Sequence, residues 1–205
     1  MKDKPWFAVA YMFVITVFFS TVLIGFARLT QDRVIANEQV MFERAVLESF
    51  PEIDVPPTPQ VNQRFSELFK KSDDAAGAFV YLKDGQIAGY AVPLEGKGFW
   101  APIRGVVGVS KDLTTILGIS FYDQNETPGL GARITEADFR EQFEGLTVGK
   151  IERPIGIRPP SVSPADNEVH AISGATQTCV RLEVLINEAL SAWLEAMNGR
   201  EVDDE

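Results

Sequence analysis

The chain has 205 residues, a formal net charge of −10 and 45% hydrophobic residues, which suits one domain of about 150 residues plus an anchor. No basic stripe is present to neutralise phosphates along a backbone, so nucleic acid is excluded as a partner. The one cysteine, Cys179, allows no intrachain disulfide and no cysteine-only metal site, and lone His170 cannot build a zinc site without several carboxylates.

The first element is apolar. Trp6 to Ala27 contain no charged side chain, and such a run is long enough to cross the roughly 30 Å hydrocarbon layer as a helix. Lys2 and Lys4 precede it, and Arg28 and Arg33 follow, so positive charge gives no orientation. A cleaved signal peptide is the competing reading. Its apolar region is usually shorter, and Gly25-Phe26-Ala27-Arg28 is a poor cleavage site. The anchor is assigned to residues 1–30. A helix and a proline-rich connector fill 31–74: Val34, Met41, Val46, Leu47 and Phe50 recur at helical spacing, Pro51 stops the helix, and Val55-Pro56-Pro57-Thr58-Pro59 is stiff and extended.

The main domain is read over 75–198 as α+β, an antiparallel sheet with flanking helices. Ala78–Leu82 and Gln86–Val92 form a hairpin about Lys83-Asp84-Gly85. Ile103–Val109 and Ile116–Tyr122 form a second hairpin about Ser110-Lys111-Asp112. Thr135 caps a short helix that runs to Phe143, and one strand is expected near Ile151–Ile157 in an otherwise irregular, proline-rich crossing. A final helix spans about Thr176–Met197, with Val184, Leu185, Ala189, Ala192, Trp193 and Ala196 as its buried stripe. Residues 199–205 read as a disordered acidic tail.

The chain is organised around Ser173-Gly174-Ala175-Thr176-Gln177-Thr178. Gly174 breaks the chain before the last helix, Ser173 or Thr176 caps it, and Thr178 falls in its first turn. That end carries free amides and the positive pole of the helix dipole, which suits a phosphate. Taken alone, the same residues also describe an ordinary Ser/Thr-rich cap. Cys179 as a nucleophile has only His170 as a candidate base, nine residues away. A hydrolase using Cys179 or Ser173 therefore lacks a placed base.

Two further stretches accompany this one: Glu126-Thr127-Pro128-Gly129-Leu130-Gly131 and Gly96-Lys97-Gly98-Phe99-Trp100. In order and spacing the three resemble the FMN-binding domain family. Its members include NqrC, of the sodium-translocating NADH:quinone oxidoreductase, and the G subunit of the Rnf electron-transport complex. The resemblance covers about residues 75–197 and the N-terminal architecture.

The resemblance implies FMN carried covalently, through a phosphoester, on Thr178, with Ser173, Gly174, Ala175 and Thr176 around the phosphate. Thr127-Pro128-Gly129-Leu130-Gly131 can make one wall for the isoalloxazine and Trp100 or Phe99 can cover another edge, and Glu126 is counted with Thr127, Gly129, Leu130, Gly131 and Trp100 among the cofactor-binding residues. The esterified threonine is expected to present its oxygen outward. Arg181, one turn further on, adds positive charge, unless it pairs with Glu183 or Glu188. The chain would then be a single-pass subunit of the inner (plasma) membrane with its domain on the periplasmic side. It would relay electrons for a respiratory or ion-translocating complex of the Nqr or Rnf type, and be a carrier rather than an enzyme by itself. Its partners would be other membrane subunits and a separate flavin transferase, which uses FAD and a divalent metal. The sequence departs from the family at His170, where many members have Asp, and at Cys179, where many have Ser. The alternative from another class is a non-redox binding or assembly module that keeps the fold without flavin.

Overall fold

The structure, a computed structural model, describes residues 5–203. It divides into two compact units, residues 1–40 and 41–205.

The described residues of the first unit belong to helix α1, which is assigned over Pro5–Glu48 and joins the expected anchor and the expected second helix in one element. No proline or glycine interrupts residues 27–48, and Gln, Glu, Arg and Leu there favour helix. The most apolar 18-residue window of α1 has a mean hydropathy of 2.4 and none of it is buried. By length and composition it is the one helix among the described residues able to cross a membrane.

The second unit is built on a six-stranded antiparallel meander, in the spatial order β1 (Phe69–Lys71), β2 (Phe79–Lys83), β3 (Gln86–Lys97), β4 (Pro102–Ser110), β5 (Thr115–Asp123) and β6 (Leu146–Thr147). The two expected hairpins are its centre. Asp84 and Gly85 take the positive φ angles that the β2–β3 turn requires. β1 and β6 are too short to show a period of two in the sequence.

Strand alternation divides the sheet into two buried faces. One carries Val80, Val92, Leu94, Ile103, Val107, Val109 and Ile119, and packs on helix α4 (Thr176–Asp203) and on Phe139 and Phe143. The helix contributes Leu182, Leu185, Ile186, Leu190, Trp193 and Leu194. Burying each large aliphatic side chain stabilises the fold by roughly 1.5–3 kcal/mol. The stripe differs from the expected one: Leu185 and Trp193 belong to it, but Val184 is 50% exposed and Ala192 and Ala196 face solvent. α4 also runs past Met197 into the stretch read as a disordered tail, of which Asp204 and Glu205 lie outside the described residues.

The other face receives the end of α1 and helix α2 (Val61–Leu68). Phe42, Phe65 and Phe69 pack there with Phe79, Tyr81 and Tyr122 at centroid distances of 5.2–6.4 Å. Arg140, from the short helix α3 (Ala137–Arg140), pairs with Glu48 at 3.0 Å, and both bind the Ser120 hydroxyl on β5. Glu136, rather than Thr135, precedes α3; the Thr135 hydroxyl donates to Ala132 O instead. The proline-rich crossing holds two strands where one was expected. β7 (Gly156–Arg158) pairs in parallel with β8 (Glu168–His170). Glu168 joins them by accepting from Arg158 at 2.7 Å, a bond that holds its carboxyl below the usual range.

Candidate functional site

Helix α4 opens at Thr176. Ala175, not a hydroxyl residue, stands at the cap, its carbonyl accepting the first helical bond from the Cys179 amide at 3.0 Å. Gly174 supplies the turn into the helix with φ +81. The amides of Thr176, Gln177 and Thr178 fall in the first turn, where no intrahelical acceptor exists. Ser173, Gly174, Thr176 and Gln177 are exposed, whereas Ala175, Thr178 and Cys179 are buried.

Thr178 differs from its expected outward pose. It is 3% exposed, and its hydroxyl donates to Glu126 Oε2 at 2.7 Å. Glu126 is 5% exposed, and its other oxygen accepts the amides of Phe99 at 2.7 Å and Trp100 at 3.2 Å. Glu126's own amide donates to Gln124 Oε1 at 2.7 Å. One carboxylate therefore ties together the three stretches that the sequence singled out. Local sequence chemistry does not reveal this link, because the threonine that Glu126 holds is 52 residues away.

Glycines make that approach possible. A Cβ on Gly131 would lie 2.5 Å from Thr178 Oγ1 and 3.0 Å from Glu126 Oε2. A Cβ on Gly98 would lie 2.6 Å from Glu126 Oε1. The loop between them folds back: Thr127 O accepts the amides of Leu130 and Ala132, both at 3.1 Å, and Gly129 has φ +72. Leu130, 41% exposed, lies against Gly174, whose Cβ would be 3.0 Å from Leu130 Cδ2.

Trp100 is 68% exposed and donates its indole N–H to Thr127 Oγ1 at 3.1 Å. The Phe99 ring meets it edge-on at 4.9 Å. Phe99, Trp100 and Leu130 thus form an open apolar rim beside the helix start. On the neighbouring side of α4 lies a groove of about 440 Å³, lined by Gly96, Lys97, Gln177, Val180, Arg181 and Glu188 among others. Arg181 makes no ion pair among the described residues, and its Nε is buried without a partner. Glu183 instead takes Arg153 at 2.7 Å.

Residues 98–191 match the model of the FMN-binding domain family. That stretch is similar to the FMN-binding domain family. Two similar proteins are the C subunits of the Na(+)-translocating NADH-quinone reductases of Chlamydia pneumoniae and Pasteurella multocida. The first is 33% identical over 135 residues, covering 55% of this chain and 41% of the relative. The second is 31% identical over 137 residues, covering 66% and 48%. The chain thus spans under half the length of these relatives. Two crystal structures share the fold. The C subunit of the Na(+)-translocating NADH-quinone reductase from Parabacteroides distasonis has a TM-score of 0.68 at 24% identity, over 80% of this chain and 96% of that one. Shewanella oneidensis NqrC has a TM-score of 0.67 at 19% identity, over 82% and 99%.

An FMN molecule needs a seat for its anionic phosphate and an apolar surface for its ring. This domain offers both: first-turn amides with Lys97 and Arg181 nearby, and the Phe99, Trp100 and Leu130 rim. Cys179 is no rival centre. It is 3% exposed, its sulfur accepts the Ile172 amide at 3.4 Å, and burial pushes its thiol above the ordinary value. A raised thiol stays protonated at neutral pH and is a poor nucleophile. Native protein at about pH 7.5 is therefore expected to react with a thiol reagent at least about tenfold more slowly than denatured protein, read by absorbance of the released chromophore; equal rates would overturn the assignment.

Proposed function

We propose that this chain is a membrane-anchored electron carrier that bears FMN on Thr178 as a phosphoester. The reading places it as a subunit of a complex similar to the sodium-translocating NADH–quinone reductase. The observation that carries it is the meeting of Thr178, in the first turn of α4, with Glu126 and Gly131 inside a stretch similar to the FMN-binding domain family. Similarity to the two reductase C subunits supports this choice of complex.

When bound, the flavin would supply one- or two-electron transfer. The chain's own residues do the rest. The helix start and Arg181 would favour the single negative charge of the phosphodiester. Gly129 and Gly131 shape the loop so that Leu130 stays at the rim, and Trp100 is braced there by Thr127. The open rim leaves a ring edge accessible to a redox partner. No acid–base pair for a substrate is needed, which suits a carrier whose turnover belongs to the complex. α1 supplies the anchor, the domain lies on the periplasmic side, and a separate transferase attaches the cofactor, because the site holds Thr178 without chemistry to activate FAD.

Thr178 is the decisive position. Protein purified from its native membranes is expected to gain the mass of one FMN less water on the peptide containing Thr178, after denaturation. Thr178→Val is expected to remove all of that gain and the yellow colour. An unmodified native peptide would overturn the tethered cofactor and leave a noncovalent flavoprotein or an assembly module.

A further inference from the structure

Resting on that reading, we propose that Glu126 is the base that takes the proton from Thr178 Oγ1 as the phosphoester forms. The hydroxyl already donates to Glu126 Oε2 at 2.7 Å, and no other residue hydrogen-bonds to it among the described ones. The carboxylate is fixed at its other end by the amides of Phe99 and Trp100. Gly98 and Gly131 clear the space on both sides of it.

A merely structural role leaves the charge unexplained. Holding two amides takes one oxygen, which the carbonyl of a glutamine would supply at lower desolvation cost. Among the described residues no cation pairs with Glu126. The second oxygen meets only the hydroxyl that is to react. A charged acceptor there binds the hydroxyl more strongly than a neutral one and can keep its proton.

The step balances. The donor is a flavin dinucleotide, brought by the transferase. The Thr178 Oγ–P bond forms, the pyrophosphate P–O bond breaks, and the nucleoside monophosphate leaves with that bonding pair. The hydroxyl proton passes to Glu126 Oε2 and then to solvent; nothing is oxidised or reduced. An ester oxygen has no proton to give. The Glu126–Thr178 hydrogen bond is therefore lost once Glu126 is again a carboxylate, while the hold on Phe99 and Trp100 remains.

The test uses the full chain in detergent, produced without the transferase, then mixed with transferase, FAD and Mg²⁺. Intact mass is followed with time. Glu126→Gln keeps a carbonyl for the two amides and a polar group for Thr178, so its melting temperature should stay near that of the wild type. Its rate of mass gain is expected to fall roughly 100-fold, as for loss of a general base. Should Glu126→Gln fail to fold, Glu126→Asp and Glu126→Asn form a matched pair, and the aspartate is expected to load faster by at least about tenfold. Loading at the wild-type rate in folded Glu126→Gln, or equal rates in the pair, would overturn the base and leave the FMN reading intact. A wild-type chain that never gains mass would overturn both.

Discussion

Gly131→Ala is expected to abolish flavin loading at Thr178 and to lower the melting temperature by several degrees. The added Cβ would lie 2.5 Å from Thr178 Oγ1, and 3.0 Å from both Glu126 Cβ and Glu126 Oε2. Of these atoms only Glu126 Oε2 ends a long side chain, and three hydrogen bonds hold that carboxylate in place. Thr178 and Glu126 are both nearly fully buried, and Glu126 is held from its far side by two amides. The methyl group therefore separates the threonine from its acceptor or pushes the loop off the helix. Overpacking of this kind costs about 1–3 kcal/mol, and in a domain of this size each kcal/mol shifts the melting temperature by about 2–4 °C. Gly129→Ala is the control. Gly129 has φ +72 but nothing within 4 Å of an added Cβ. It should cost about 1 kcal/mol of backbone strain and leave loading intact. Intact mass and a melt read both variants. Full loading of Gly131→Ala would mean that the packing of Gly131 on Thr178 is not what presents the hydroxyl.

The contrast between those two glycines shows where sequence reading stops. Pro128-Gly129-Leu130-Gly131 announces a turn, and only the fold reveals that Gly129 is there for its dihedral and Gly131 for its missing side chain. The central strands were legible because β2 to β5 alternate over five residues or more, enough to register a period of two. β1, β6 and β8 each hold two or three residues and leave no such trace. The organising motif and its placement on a helix start were legible from local chemistry. The inward pose of Thr178 was not, since it depends on a carboxylate 52 residues away whose own position is set by Gln124 and by the 99–100 amides. The stripe of α4 was hard to place because Val180 and Val184 are apolar but border the groove instead of the core. The anchor and the second helix run on as one helix because no proline or glycine lies between residues 27 and 48.

The largest loss of stability is expected far from Thr178, where the chain leaves α1. Ser49 and Phe50 cross the sheet on a floor of glycines. An added Cβ on Gly108 would lie 2.4 Å from the Ser49 carbonyl oxygen, and on Gly118, its register partner, 2.9 Å from the same atom. A Cβ on Gly89 would reach Phe50 Cε1 at 3.2 Å. These neighbours are backbone or a fully buried ring, so no rotamer change relieves the contact. Ser49 is itself fixed, its amide on Ala45 O at 3.0 Å and its hydroxyl on Val46 O at 2.8 Å. Phe50 is 1% exposed and packs at 5.1 Å from Phe69 and 4.8 Å from Tyr81. Phe50→Ala should cost about 3–5 kcal/mol, and Gly108→Ala about 1–3 kcal/mol. The two are in contact, so they should not add. With the ring gone the Ser49 turn can lift, and Gly108→Ala in the Phe50→Ala background should cost less than it does alone. Thermal melts of the four proteins in detergent check this. Flavin loading should persist in the folded fraction of each, because Thr178 belongs to the helix on the opposite face. Strict additivity would show that the turn is pinned by Ser49 alone, and that the ring fills space without holding the backbone down.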